Sequence, residues 1–240
     1  MDLTERTSAL GLHAYVLSWV EKLEIPKNAR IVDIGCGTGA LLHRLHHCGY
    51  SNLTGIDIDP PKSLDGVQFV EADLDNLQID HPSALVDLIL AVEVVEHVEN
   101  IGQFLDYLSA ILAPDGKILV TTPNVHSLVS RIRFLLKNDL KQFDAIGDPT
   151  HVFPVFYFTF KRILARHGFS VTNTLAFPED GSSPTSRPGL RLLAAIARFF
   201  GLSGNPDGDN LCLLIERSSG VSVVDSKISK KENLTAHYRN

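Results

Sequence analysis

The chain has 240 residues, of which 44% are hydrophobic, and its formal net charge is −6. This length allows a single α/β domain, and no apolar run approaches the roughly 20 residues that a membrane-spanning helix needs. The acidic balance argues against general binding to DNA or RNA backbones. The three cysteines form no CxxC pair and the N-terminus lacks the features of a signal peptide, so we expect a reducing, cytoplasmic setting.

Apolar residues at helical spacing predict a helical cover over residues 1–25. Beyond it, short apolar runs alternate with helical patterns, which predicts a mainly parallel sheet with helices on both faces. The predicted strands are 30–34, 53–57, 68–70, 86–92, 117–121, 169–177 and 210–216, and the predicted helices are 40–48, 101–112, 127–136, 159–167 and 189–200. Between the second and third strands only about ten residues remain, so we expect a single helical turn or none there.

Three further segments, a loop, the C-terminal end and one helix, each have a predicted role. Residues 123–158 end in a stretch rich in Asp, Gly, Pro and aromatics and are expected to form a lid. Residues 218–240 are polar, which predicts a disordered tail after a single domain over 1–217. The helix 189–200 has an apolar side flanked by arginines; we expect it to cover the sheet or mediate dimerisation, with contact to a membrane surface as the less favoured role.

A glycine loop, Val32-Asp-Ile-Gly-Cys-Gly-Thr-Gly39, follows the first predicted strand and opens a helix. Backbone in such a loop approaches a nucleotide-like ligand. The spacing of Gly35, Gly37 and Ala40 also fits a dinucleotide site, with Asp57 as its ribose-binding acid, so NAD is a competing ligand. Asp33 favours S-adenosylmethionine instead, because an acid there suits a cationic cofactor better than a pyrophosphate.

Ionisable residues crowd the end of the fourth strand, in Ala91-Val-Glu-Val-Val-Glu-His-Val98. If Glu93 begins a helical turn, the spacing brings it near both Glu96 and His97. Two carboxylates and an imidazole suit Mg²⁺ or Mn²⁺, and His151 in the predicted lid is a candidate fourth ligand. The alternatives are that His97 or His151 is a catalytic base without metal, or that the group is structural.

Four motifs in register resemble those of class I S-adenosylmethionine-dependent methyltransferases. They are Asp33-Ile-Gly-Cys-Gly-Thr-Gly39, Gly55-Ile-Asp-Ile-Asp59, Glu71-Ala-Asp-Leu74 and Glu93-Val-Val-Glu-His97. The pattern is similar to the subgroup of quinone-biosynthesis O-methyltransferases and bacterial small-molecule methyltransferases. The resemblance implies a Rossmann-like sheet of seven strands, in the order 3-2-1-4-5-7-6 with the last strand antiparallel. It also strengthens the metal hypothesis, because some methyltransferases with an E-x-x-E-H motif bind a divalent ion.

The resemblance further implies a cofactor role for each motif residue. Those expected to shape the methionine end of the cofactor site are Asp33, Gly35, Cys36, Gly37 and Gly39. Asp57 would hold the ribose, Ile58 would pack on adenine, and Asp73 with Leu74 would read the adenine edge. Glu93 joins this set because an acid-rich end of the fourth strand also favours a sulfonium cofactor.

We therefore expect a cytoplasmic methyltransferase that acts on a small molecule, with an oxygen as the methylated atom. RNA 3′-end 2′-O-methylation is an alternative that would need the basic face 131–141, and a non-catalytic cofactor-binding module is another. The sequence predicts no DNA partner and no stable membrane anchor, disfavours RNA, and leaves a homodimer open.

Overall fold

A seven-stranded sheet organises the computed structural model, which describes residues 9–76, 85–145, 147–202, 204 and 206–218. The strands are β1 (Arg30–Ile34), β2 (Asn52–Asp57), β3 (Val67–Glu71), β4 (Val86–Val92), β5 (Leu112–Pro123), β6 (Phe169–Phe177) and β7 (Asn210–Arg217). The helices are α1 (Leu12–Lys22), α2 (Ala40–His47), α3 (Ile101–Ile111), α4 (Leu128–Lys137), α5 (Tyr157–Arg166) and α6 (Pro188–Phe199), with a 3₁₀ turn at Val95–His97. The predicted tail lies almost wholly outside the described residues.

The strand order is β3-β2-β1-β4-β5-β7-β6, and β7 runs antiparallel to both of its neighbours. The other neighbouring pairs are parallel. This confirms the order and the antiparallel last strand. β4 is central and buried apart from Asp87, which explains its nearly unbroken apolar run, since strands covered on both faces need apolar residues at every position.

Two apolar layers cover the sheet. On one face, α3 and α5 contribute Phe104, Leu108 and Phe160 to a core that includes Ile89 of β4. On the other face, α1 and α2 pack against β1, β2 and β4, with Leu12 fully buried. Parallel strands expose their carboxyl ends at one edge between these layers, which is where ligands bind in open α/β sheets.

Two local differences from the sequence expectation concern element boundaries, whereas the connection between β2 and β3 agrees with it. Residues 58–66, between β2 and β3, contain no helix, in line with the short connection. The predicted helix 101–112 ends one residue earlier because β5 already begins at Leu112. β5 is also longer than expected, running to Pro123.

The position of α6 corrects the first of two expected roles, sheet cover, and leaves dimerisation as a prediction. It packs mainly on α4, where Ala194 joins Leu128 and Val129 in a small separate cluster. The helix therefore does not cover the sheet. Its amphipathic pattern shows which side is apolar, but that pattern cannot show what the apolar side faces. No helix among the described residues is long and apolar enough to cross a membrane.

Candidate active site

The glycine loop turns sharply at the carboxyl end of β1. Gly35, Gly37 and Gly39 all have positive φ angles, and the amide of Gly35 donates to the carbonyl of Ile56 at 2.7 Å. A Cβ atom at Gly35 would lie 2.5 Å from Cγ2 of Val94. Glycine is therefore required there both for its backbone conformation and for the close approach of the segment that follows β4.

Asp57 ties this loop to the end of β2. Its Oδ2 accepts the amide of Gly37 at 2.7 Å and its Oδ1 accepts the amide of Asp59 at 3.1 Å. Each carboxylate oxygen retains a further lone pair that can accept from a ligand hydroxyl. Asp57 therefore shapes the loop and still offers acceptors to a ligand.

A pocket of about 310 Å³ opens at this edge of the sheet. Its lining residues are Gly35, Asp57, Ile58, Asp73, Leu74, Asp75, Glu93, Val94, His97 and Val98. Most of the predicted cofactor residues thus meet at one pocket. Asp33, Cys36, Gly37 and Gly39 do not line it; they lie behind its wall or in the adjoining turn.

Three pocket residues were missed by sequence reasoning. Val94 and Val98 flank the 3₁₀ turn and are buried. Asp75 accepts the amides of Glu99 and Asn100 at 2.7 and 3.0 Å, which fixes the loop after β3 to the start of α3. The signal that could have indicated Asp75 is its place two residues after Asp73 in the same acidic motif.

Asp33 lies deep in β1, with only 3% of its surface exposed. Burial, with the charge of Asp57 adding to it, raises the pKa of Asp33 to about 8. Cys36 in the same loop is also buried, and burial raises the pKa of its thiol above the ordinary range. The thiol is therefore a small packing group rather than a nucleophile.

Glu93 is held at the end of β4 with an unusual backbone conformation, φ +55°. Its Oε1 accepts the Thr121 hydroxyl at 3.0 Å, and its Oε2 accepts the Asn210 side-chain amide at 2.7 Å. Burial raises the pKa of Glu93 to about 7, while these two hydrogen bonds oppose the rise. A strained acid with this many partners is typical of a functional position.

Glu96, His97 and His151 form a compact group in which one ligand atom from each residue lies within 4.8 Å of the others. The His97 and His151 rings meet edge to face, with centroids 4.7 Å apart. Glu93 is not part of this group, which corrects the four-ligand set predicted from sequence. The helical turn begins at Val95 rather than at Glu93, so the Glu93 side chain is directed to β5 and β7 instead.

Hydrogen bonds orient both imidazoles. The Thr150 hydroxyl donates to Asp148 at 2.6 Å, so it accepts from His97 Nδ1, which lies 2.8 Å away. His151 Nδ1 donates to the carbonyl of Gln142 at 2.9 Å. In its neutral form each ring therefore carries its proton on Nδ1 and presents the lone pair of Nε2.

The segment that carries His151 is anchored at two points. The carbonyl of Glu96 accepts the amides of Val152 and Phe153 at 2.8 and 2.9 Å. Lys141 is buried and forms an ion pair with Asp209, just before Asn210. Sequence patterns gave no indication of these anchors, because they join positions far apart in the chain.

Comparison with known proteins supplies the family. The model of a methyltransferase domain family matches residues 10–174, more than half of the chain. Together with the glycine loop, the acids at the strand ends and the sheet order, this shows that the chain belongs to the class I S-adenosylmethionine-dependent methyltransferase family.

One curated relative is the ubiquinone biosynthesis O-methyltransferase of Bradyrhizobium diazoefficiens. It is 36% identical over 114 residues, which is 44% of this chain and 44% of the relative. The match thus spans under half the length of that relative. It supports the predicted similarity to quinone-biosynthesis enzymes for this part of the chain.

Solved structures show the same fold. A methyltransferase from Archaeoglobus fulgidus aligns with a TM-score of 0.59 at 23% identity, covering 85% of this chain and 94% of that one. Magnesium protoporphyrin IX methyltransferase from Synechocystis PCC 6803, solved with bound S-adenosylhomocysteine, gives 0.55 at 16% identity, with coverage of 87% and 83%.

Proposed function

We propose that this chain transfers the methyl group of S-adenosylmethionine to an oxygen of a small molecule, and that the acceptor is activated by a divalent cation at Glu96, His97 and His151. The observation that carries the proposal is the position of His97. It lines the cofactor-sized pocket and also belongs to the three-residue group. Acceptor activation would thus take place beside the cofactor.

The pocket offers suitable groups for the cofactor. Asp57 can accept from ribose hydroxyls, and Ile58, which is 67% exposed, provides an apolar surface for adenine. Glu93 lines the pocket and Asp33 lies beside it, and a bound sulfonium or ammonium group would favour the ionised form of either acid. When bound, S-adenosylmethionine supplies an electrophilic methyl group, and the protein then has to position the acceptor and remove its proton.

The donor set fits a cation. Glu96 is completely buried, and neither of its oxygens makes a hydrogen bond of good geometry among the described residues; the nearby Thr122 hydroxyl offsets its burial only in part. Burial, with the Glu93 charge adding to it, raises its pKa well above the ordinary value. A buried carboxyl without a partner is costly, and a cation would remove that cost.

Glu96, His97 and His151 would hold the ion, and the ion would supply Lewis acidity toward an acceptor oxygen. Of the two ions expected from sequence, Mn²⁺ tolerates imidazole ligands better than Mg²⁺, which prefers oxygen. The hydrogen bonds to Thr150 and Gln142 keep both Nε2 atoms available, as outer-shell partners do in known metal sites.

A second activation route uses His97 as a base without metal. Burial and the neighbouring His151 lower the pKa of His97, so its Nε2 is unprotonated near neutral pH. That atom could accept the proton of an alcohol or phenol. The RNA alternative has less support, because Arg133 of the basic face is paired with Asp144.

The first test is thermal stabilisation by S-adenosylhomocysteine, with NADH as the competing ligand, followed by methyl transfer to a panel of catechols, phenols and alcohols. We expect stabilisation by S-adenosylhomocysteine alone, and oxygen methylation of at least one acceptor. His97→Ala should lower kcat by about 10²- to 10⁴-fold with a much smaller effect on cofactor affinity, whereas His47→Ala, an exposed residue of α2, should change neither.

Failure would be informative at each stage. Stabilisation by NADH instead would contradict the cofactor assignment. Binding of S-adenosylhomocysteine without turnover on any acceptor would favour a non-catalytic cofactor-binding module. Undiminished turnover in His97→Ala would remove His97 from the mechanism. The cytoplasmic setting stays a prediction.

A further inference from the structure

A second cavity opens at the ligand-binding edge of the sheet, at the end formed by β6 and β7. Phe177 at the end of β6 pairs with Asn210, which in turn pairs with Pro123 at the carboxyl end of β5. The end of β6 therefore lies at the same edge as the cofactor pocket. The cavity has a volume of about 470 Å³, which is enough for a small organic molecule, and it shares no lining residue with the cofactor pocket.

The charge of this cavity is negative once its arginine is paired. Nε and Nη2 of Arg198 donate to Oδ2 of Asp207 at 3.1 and 2.9 Å, and Nη2 also donates to the carbonyl of Gly181. Arg198 and Asp207 thus neutralise each other. Glu179 and Asp180 also line the cavity, and both are exposed. Neither forms an ion pair with another described residue, so two carboxylates remain available to a ligand.

An aromatic wall faces the same cavity. Tyr15 of α1 belongs to the lining, but its hydroxyl is buried, close to the Glu179 carboxylate and to Trp19, and makes no hydrogen bond of good geometry with a described residue. The part of Tyr15 that a ligand can meet is therefore its ring. That ring packs against Phe177, with centroids 5.1 Å apart, which holds it in place. Leu175 adds an aliphatic surface.

We propose that this cavity is a binding site for a small alkylammonium compound. Its ammonium group would donate hydrogen bonds to Glu179 and Asp180, because a protonated amine has donors and no acceptor and such charge-assisted bonds are strong. The face of the Tyr15 ring also attracts a cation. The alkyl chain would lie against Leu175 and the Tyr15 ring, where it is removed from water. An anionic ligand would instead meet two unpaired carboxylates.

The lining distinguishes an organic cation from a metal ion as the occupant. Within the part of the chain that the structure describes, the one group of three converging metal ligands is Glu96, His97 and His151, which lies elsewhere. The cavity instead combines two carboxylates with an aromatic and an aliphatic wall, and a metal ion makes no use of such walls. The inference concerns binding at a separate cavity, so it does not depend on the proposed methyl transfer.

Calorimetric titration of the full chain with n-butylamine, which is protonated at neutral pH, tests the inference. The matched neutral probe is 1-butanol, which has the same alkyl chain. We expect butylammonium to bind at one site and 1-butanol to bind about tenfold more weakly or less, because it lacks the charge. Saturation with S-adenosylhomocysteine should leave the affinity for butylammonium unchanged, since the two pockets share no lining residue.

Substitutions in the lining separate the contributions of charge and ring. Glu179→Gln should weaken butylammonium binding by about fivefold and reduce its dependence on salt, because one carboxylate is lost. Tyr15→Leu should weaken it by about two- to fivefold through loss of the ring face. Tyr15→Phe keeps the ring and should bind like the unchanged protein. Asp115→Asn, which replaces an exposed acid near the amino end of β5 and so at the opposite edge of the sheet, is the control and should have no effect.

Three results would overturn the inference. They are equal affinity for butylammonium and 1-butanol, undiminished binding in Glu179→Gln, and displacement of butylammonium by S-adenosylhomocysteine, which would place the amine in the cofactor pocket. If Tyr15→Leu does not fold, Glu179→Gln still decides, because the Glu179 side chain is exposed. Butylammonium binding in a protein that methylates no acceptor would support this site and count only against the proposed function.

Discussion

Replacing Asp33 by Asn should change how stability depends on pH. Asp33 is buried in β1, and its pKa is raised to about 8, mainly by burial. In the unfolded chain the carboxyl titrates near its ordinary value, so the folded state binds more protons between about pH 4 and 8. The contribution of Asp33 to the free energy of unfolding is therefore constant below about pH 4. It falls as the pH rises from about 4 to 8, and it stays low above pH 8.

The magnitude follows from the width of the window. Each pH unit between the two pKa values is worth about 1.4 kcal/mol, so Asp33 can cost at most about 4 kcal/mol more at pH 8 than at pH 5. Asn keeps the shape of the neutral acid and does not titrate. The advantage of Asp33→Asn over the unchanged protein in the free energy of unfolding should thus grow from pH 5 to pH 8.

Urea unfolding of both proteins at pH 5 and pH 8, without cofactor, measures this difference. Asp65→Asn, a substitution of an exposed acid, is the matched control and should show no such growth. In a thermal scan the effect corresponds to about 2–4 °C per kcal/mol. An advantage that is the same at both pH values would refute the reasoning that Asp33 is buried in its neutral form.

Two further substitutions test the glycine loop and the anchor of the His151 segment. Gly35→Ala should abolish thermal stabilisation by S-adenosylhomocysteine, because the new Cβ would lie 2.5 Å from Val94; Gly49→Ala, where the space is open, should retain it. Lys141→Met should lower the free energy of unfolding by about 3–5 kcal/mol, since it leaves the Asp209 charge buried and unpaired. Adding Asp209→Asn to Lys141→Met should recover part of that loss. Urea unfolding measures the stability of the single and the double variant. No recovery in the double variant would contradict an electrostatic origin of the loss.

The sheet could be predicted because its signals are local. Apolar runs, the glycine loop and acids at strand ends fix which segments are strands and which edge binds a ligand. Asp57, Asp73 and Glu93 lie at that edge for the same reason: each follows or ends a parallel strand. That the connection between β2 and β3 holds at most one helical turn could be predicted from its short length alone.

Side-chain direction could not be predicted in the same way. Glu93 was expected beside Glu96 and His97, but its left-handed backbone conformation sends the carboxylate toward Thr121 and Asn210. Asn210 belongs to the last strand, and no pattern in the fourth strand indicates it. The anchors of His151 are equally non-local.

The wrong expectation that α6 covers the sheet has a related cause. A helix with an apolar side is expected to bury that side. The sequence pattern alone cannot show that α4 instead covers another, narrower side of α6. The residues that meet α4 are small or only partly apolar, such as Ala194 and Ala197. The larger apolar residues Leu192 and Phe199 then remain at the surface.

Acceptor activation, as proposed, depends most directly on cation binding at Glu96, His97 and His151. Calorimetric titration of Mn²⁺ into chelator-treated protein, saturated with S-adenosylhomocysteine, should show one site. His151→Ala should weaken binding at that site at least tenfold, while His47→Ala should not change it. Absence of metal-dependent heat, or binding that is unchanged in His151→Ala, would contradict the cation site and leave His97 as the only activating group proposed for the acceptor.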